Sequence, residues 1–314
     1  MWELLQQISP YAIAFSVPLL VTAIGGLYSE RSGVVNIGLE GLMVVGSFAA
    51  AFTIYLLEPL IHGLALWAGL AAAALAGALF SLLHAVSCIS FQANQVISGT
   101  AINMMAGSLT LFIARNITGS GNIQILPFTR FDVPVLREWP VVGPLFFTNT
   151  YVTTWLALAV LIMAYFVLYK TVFGLRLRAC GEHPQAVASA GVGVSFIRYT
   201  AVVISGGCAG LGGAIMLTTY SGEFNGTVFG LGFLALAALI FGQWKPMGIL
   251  GATLFFGFAS TVATSAQAIP ALSQIPAVAL KTFPYIVTLV VLVLFSKTSQ
   301  APRASGQPFE PGKR

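Results

Sequence analysis

Charge is what this chain has least of. Only 7% of its 314 residues are Asp, Glu, Lys or Arg, against 57% hydrophobic residues and a mean hydropathy of +0.91. A soluble domain carries about 25% charged residues, so a water-facing globular fold is excluded and a polytopic membrane protein is the class that fits. Metal and redox chemistry have no foothold. The three cysteines (Cys88, Cys180, Cys208) stand far apart, the three histidines (His62, His84, His183) are scattered, and neither CxxC nor HExxH occurs. The lack of a GxxxxGK[ST] loop removes the usual phosphate-binding route to ATP. The net charge of +5 comes from basic residues at helix ends and in the tail, with no aromatics interleaved, so nucleic acid is not an expected partner. The start, MWELLQQ, carries Glu3 and no positive charge, and no cleavable signal is expected. Neither a catalytic group, a metal site nor a bound cofactor is expected in this chain.

Long apolar segments are what remains. A span needs about 20 mainly apolar residues, and that ruler gives nine: Pro10–Tyr28, Val34–Leu57, Leu64–Ile89, Val96–Ala114, Tyr151–Tyr169, Tyr199–Tyr220, Phe229–Trp244, Gly248–Gln267 and Phe283–Phe295. The reading is an all-α polytopic membrane protein of about nine transmembrane helices. Residues 1–297 form the transmembrane domain, and the polar tail over 298–314 is expected to be disordered. With the fifth span as a linker, spans one to four and six to nine are the halves that an inverted repeat would relate.

The longest polar interruption that ends in basic residues runs over 170–198 and holds Lys170, Arg176, Arg178 and Arg198. Basic loops face the cytoplasm. Nine alternating spans then put the N-terminus outside and the C-terminus inside. Ten basic residues (Arg31, Lys170, Arg176, Arg178, Arg198, Lys245, Lys297, Arg303, Lys313, Arg314) fall inside, and four (Arg115, Arg130, Arg137, Lys281) fall outside. Within the loop, Pro184 suits the first position of a short helix and Gly191 the position just past its end. The small side chains between them would let another protein fit closely. Cys180, in this loop, is expected to be reachable from the cytoplasmic face, and Cys208, within a span, to be protected.

Polar residues inside spans have two readings. Glu40 lies in the second span with Asn36 one turn earlier; both either line a solute path or satisfy backbone freed near Gly33, Gly38 and Gly41. Asn94, Gln95 and Asn103 open the fourth span, and Gln243 ends the seventh; amides of this kind hydrogen-bond a neutral solute or tie helices together. His84 reads as a helix–helix hydrogen bond. In the sixth span, SGGCAGLGGA reads first as close helix packing.

The stretches GVVNIGLEGLMVVGSF, ANQVISGTAIN, GLRLRACGEHPQAVASAGV and SGGCAGLGGA resemble the permease subunits of bacterial ABC importers, in the nucleoside and simple-sugar branch related to ribose and branched-chain amino-acid permeases. The resemblance runs from the first span to the ninth. It implies a coupling helix around Gly181, Glu182, Pro184, Ala186, Ala188, Ala190 and Gly191 that seats in an ATPase subunit, which would bind the ATP. It also implies a second permease subunit, an extracytoplasmic solute-binding protein and residence in the bacterial cytoplasmic (inner) membrane. The scarcity of charge points to a neutral polar solute, and the resemblance tips the choice from sugars to nucleosides. An ion-coupled secondary transporter and a non-transporting membrane subunit are the readings from other classes.

Overall fold

The computed structural model describes residues 2–265, 278–279, 282–283, 286, 290, 293 and 300–310. Its helices are α1 (Trp2–Arg31), α2 (Leu39–Ile61), α3 (Leu64–Ala85), α4 (Gln95–Thr118), α5 (Val152–Lys170), α6 (Val172–Glu182), α7 (Pro184–Ser189), α8 (Val194–Met216), α9 (Leu231–Phe241) and α10 (Pro246–Ser265). Two short strands, β1 (Ile123–Gln124) and β2 (Glu223–Phe224), pair antiparallel. Among the described residues, seven helices are long and apolar enough to cross a membrane: α1, α2, α3, α4, α5, α8 and α10. Helix α9, expected as a full span over Phe229–Trp244, has only 11 residues. At about 1.5 Å per residue it reaches roughly halfway through a bilayer core. The ninth expected span, Phe283–Phe295, lies outside the described residues apart from isolated positions.

Helix α1 is the axis of the bundle, with most of its apolar length buried. Helix α8 packs on α1, α2 and α3, while α10 and α9 close the other side of α1. Without a hydrophobic drive between helices in lipid, association rests on close backbone approach at small residues. The glycine run of α8 provides it. A Cβ on Gly210 would collide with the Ala73 carbonyl of α3, and one on Gly46 of α2 would collide with the backbone of Gly210 itself. Gly77 of α3 meets the Gly206 carbonyl in the same way. The sixth-span glycines are therefore packing residues.

The β1–β2 pair ties the α4–α5 and α8–α9 connections together at the end of the bundle opposite α7. Ile123 and Phe224 are paired and buried, with the Phe224 ring 5.5 Å from that of Phe48. At the α7 end, residues 300–310 differ from the disordered tail expected. Pro302 and Ala304 are buried, and the segment, a turn over 303–306 with irregular flanks, is hydrogen-bonded to the body.

Candidate functional site

Helix α1 stops at Arg31 and α2 does not begin until Leu39; residues 32–34 close α1 with turn bonds to Ser29 and Glu30, and residues 35–37 cross part of the bundle without helical hydrogen bonds. Irregular backbone at membrane depth persists only where other groups satisfy it. Ser29 Oγ donates to Val34 O at 2.7 Å, and Val35 N–H donates to Gln95 Oε1 at 2.6 Å. His84 Nε2 lies 3.0 Å from Val35 O, which is an acceptor only, so Nε2 carries the proton and Nδ1 accepts from Ser98 Oγ at 2.9 Å. Asn103 serves both sides of the break, donating to Ile37 O at 3.1 Å and accepting from Gly41 N–H at 2.7 Å. Asn36 accepts from Gly38 N–H and donates to Ser205 Oγ of α8. Gln95, Asn103 and His84 thus belong to one framework around the break.

Glu40, the second residue of α2, reaches the start of the half-helix α9. Its Oε1 accepts from Gly230 N–H at 2.8 Å and its Oε2 from Gly232 N–H at 2.6 Å. A carboxylate suits a helix N-terminus, where the first N–H groups have no intrahelical partner and the dipole is positive. Glu40 stands in the first turn of α2 as well, so one carboxyl serves two helix N-termini that meet inside the bundle. It is half-buried, and Phe229 and Phe233, which adjoin Gly230 and Gly232 in the chain, are 66% and 49% exposed. These two aromatics were not singled out from the sequence, where they look like lipid-facing phenylalanines.

The α5–α8 connection folds as two short helices. Thr171 caps α6 by accepting from Gly174 N–H at 3.2 Å. The inner face of α6, Gly174, Leu177, Cys180 and Gly181, is buried against the body, while Val172, Leu175 and Arg176 are exposed. Helix α7 starts at Pro184 as expected, and Gly191 follows its end at φ +78°. Pro184 and Val187 face inward; Gln185, Ala186, Ala188, Ser189 and Ala190 face out. Between the two helices lies an apolar groove of about 380 Å³, lined by Leu175, Ala179, Ala186, Val187 and Ala190 and edged by Arg176, Glu182 and His183.

The residues singled out from the sequence therefore separate. Ala186, Ala188, Ala190 and Gly191 lie on the open surface, Glu182 is half-buried, and Pro184 and Gly181 are buried. Gly181 sits against the Arg31 carbonyl and belongs to the joint with α1. Asn36, Gln95 and Asn103 are bonded to the break, and Asn94 is the exposed cap of α4, accepting from Val96 and Ile97 N–H. Gln243 closes the turn after α9.

Cys180 corrects an expectation: it is fully buried on the inner face of α6, and burial pushes its thiol up although Arg198 draws it down. A neutral, enclosed thiol reacts poorly. Cys180 should resist impermeant thiol reagents from either side of the membrane, whereas cysteine at exposed Gln185 or Ser189 should label from one face only, which the basic-loop expectation makes the cytoplasmic one. Labelling of Gln185→Cys in sealed cells by an external reagent would reverse the orientation. Mass spectrometry of the labelled chain reads both results.

A bundle of apolar spans with a half-helix, a broken helix and an exposed helical pair at one end defines a multi-pass membrane protein. The chain belongs to the family of branched-chain amino acid transport system permease components, whose model matches residues 10–296. It is 45% identical to the guanosine ABC transporter permease protein NupQ of Bacillus subtilis, over 99% of each chain. It is 41% identical to the nucleoside ABC transporter permease protein NupC of Lactococcus lactis, over 96% of each. Among solved structures, a chain from an inward-facing conformation of a metal-chelate type ABC transporter matches with a TM-score of 0.50 and 13% identity, over 92% of this chain and 85% of that one. That likeness concerns the fold alone. The family consists of translocation subunits, so this chain is a transport component and not an enzyme.

Proposed function

We propose that this chain is the permease subunit of an ATP-driven ABC importer that carries nucleosides into a bacterial cell across the cytoplasmic (inner) membrane. The observation that carries the reading is the 45% identity, over 99% of both chains, to a guanosine permease. The geometry supports it with the exposed α7, whose small side chains and adjoining apolar groove suit insertion into a partner. That partner is the ATPase subunit, which binds the ATP; a second permease subunit, an extracytoplasmic solute-binding protein and lipid complete the surroundings. The α7 end faces the cytoplasm, with the N-terminus outside and the C-terminus inside. The transmembrane domain covers residues 1–297, with the coupling segment over 170–198.

The same reading takes nine crossings, with the stretch from β2 at the far end to Gln243 at the α7 end counted as one whose helical part is α9. Helix α10 runs from the α7 end to Ser265 beyond the level of Ala12 and Ser16, yet Gln300 is back beside Gln243. An inverted repeat is supported by matched packing. Helix α8 lies on α3 and α2 as α1 lies on α10 and α9, and the N-termini of α2 and α9 meet at Glu40. The solute passes this joint, where the rings of Phe229 and Phe233 offer flat apolar faces beside Glu40. Asn36, Gln95 and Asn103 hold the break that leads into α2 on one side of this joint; Asn94 and Gln243 lie toward its cytoplasmic mouth. An anionic solute would find no counter-charge at this joint, the Glu40 carboxylate is already engaged by two backbone N–H groups, and any ion would have several kcal/mol of desolvation to overcome; a neutral nucleoside would not.

In cells lacking other nucleoside carriers, labelled inosine and uridine should accumulate in an ATP-dependent way, and labelled ribose and galactose should not. Uptake of sugar alone would replace this reading with a simple-sugar importer. Nucleoside uptake that survives ATP depletion while the proton gradient is held would replace it with an ion-coupled carrier. Ala188→Trp, on the outward face of α7, should leave the folded amount unchanged. It should reduce uptake about tenfold or more, since overpacking an interface costs 1–3 kcal/mol. Normal uptake in this variant would make α7 a plain connector.

A further inference from the structure

Residues 300–310 form a strap beneath the α7 end that bonds in turn to the elements ending there. Gln300 N–H donates to Gln243 Oε1 at 3.1 Å, in the turn after α9. Ala304 N–H donates to Gly181 O at 2.8 Å, in the last turn of α6. Gly306 N–H donates to Gly33 O at 3.1 Å, in the break before α2. Gln307 O accepts from Arg198 Nη1 of α8 at 3.1 Å, and Phe309 O accepts from Gln92 Nε2, after α3, at 3.3 Å. Pro302 and Ala304 are buried, so the strap is seated in the body.

Arg198 is the hub of this joint. It is 2% exposed, and its Nε donates to Ser32 O at 3.2 Å, just past the C-terminal end of α1, where a cation complements the helix dipole. Among the described residues no carboxylate forms an ion pair with it. The guanidinium thus joins α8, the end of α1 and the strap. A surface tail needs no such arrangement.

We propose that the strap, positioned by Arg198, carries motion from the coupling helices α6 and α7 to the broken segment 32–38, alongside the direct contact of Gly181 with the Arg31 carbonyl. Ala304 and Gly306 are two residues apart, and two residues span at most about 7 Å. While their N–H groups hold Gly181 O and Gly33 O, the end of α6 and the break before α2 move as one body. A displacement that a partner imposes on α6 then reaches residues 32–38, and through α2 it reaches the joint at Glu40. This rests on the reading of α7 as the ATPase contact, and the test separates the two.

The test uses the intact importer, with its ATPase and its other subunits, in liposomes. Three quantities are measured: ATPase co-purified per permease, ATP hydrolysed, and solute taken up per ATP. The variants are Ala304→Pro, which removes the N–H bonded to Gly181 O, Arg198→Gln, and Arg198→Lys as the conservative control. The expected result is normal ATPase content and hydrolysis with uptake per ATP reduced about tenfold or more, in keeping with the sensitivity of such steps to an ångström of misplacement. Arg198→Lys should recover part of the loss. Uptake per ATP that stays normal in Ala304→Pro overturns the proposal, and so does loss of ATPase in proportion to uptake, which would make the strap a docking surface. If a variant fails to fold, hydrogen exchange on the unaltered importer decides. The amides of Ala304 and Gly306 should be protected both without nucleotide and with ATP trapped, and fast exchange of either amide in either state overturns the link. Failure of the α7 reading would appear separately, as normal uptake in Ala188→Trp with the strap unaltered.

Discussion

Gly210→Val is expected to leave little folded protein in the membrane. At this residue α8 is held between two helices that both touch its backbone. The Cβ direction points at the Ala73 carbonyl and Gly77 Cα of α3, and the Gly46 position of α2 presses on the Gly210 carbonyl and Cα. No rotamer change relieves a collision with main chain, so α3 and α8 would have to part along their contact. Overpacking ordinarily costs about 1–3 kcal/mol and sometimes more, a large share of the roughly 5–15 kcal/mol that keeps a domain folded. Here the same displacement would also loosen Gly77 against Gly206 one turn away. Gly251→Val supplies the control, because a Cβ there meets nothing within 4 Å. Size-exclusion profiles of the detergent-solubilised variants read the outcome. A monodisperse peak of normal height for Gly210→Val would mean that the α3–α8 contact is not what holds the bundle together.

That glycine run was legible in the sequence, because closely spaced small residues in an apolar span have few other uses. The same holds for α7, whose start and stop are written locally in Pro184 and Gly191. The helix-tying role of the fourth-span amides was visible as one of two readings. Which backbone groups they meet was not, since Asn103 bonds residues more than 60 positions away. The shortness of α9 was hidden for a similar reason. Apolar composition over Phe229–Trp244 cannot distinguish a span from a half-helix whose N-terminus is capped by a carboxylate 190 residues distant. The strap escaped because most of its bonds use its own main chain, to which composition is blind. The burial of Cys180 did leave a signal: Gly174, Leu177, Cys180 and Gly181 recur at helical spacing on one face of α6.

The cap at Glu40 leads to the second large expected effect, in which two substitutions of similar size part company. Glu40→Leu removes both acceptors and leaves Gly230 N–H and Gly232 N–H without partners inside the bundle. In a membrane interior each unsatisfied backbone group costs several kcal/mol, and α9 also loses the charge that complements its dipole. Glu40→Leu should therefore give little folded protein. Glu40→Gln keeps one carbonyl acceptor but turns an NH2 group toward the other backbone donor. Losing one charge-assisted hydrogen bond costs about 1.5–3 kcal/mol, so this variant should fold in reduced yield. Crowding leaves few alternatives to the cap, because a Cβ on Gly232 would already strike the Glu40 backbone. If the carboxyl acts only by fixing α9 against α2, uptake per folded Glu40→Gln molecule should match the unaltered chain for inosine and uridine alike. A change in the inosine-to-uridine ratio at equal folded amount would instead assign Glu40 to the wall of the solute path, in contact with the passing molecule. Normal yield of Glu40→Leu would remove the cap as the reason for the residue. Quantified folded protein and uptake, measured together for both variants, separate these results.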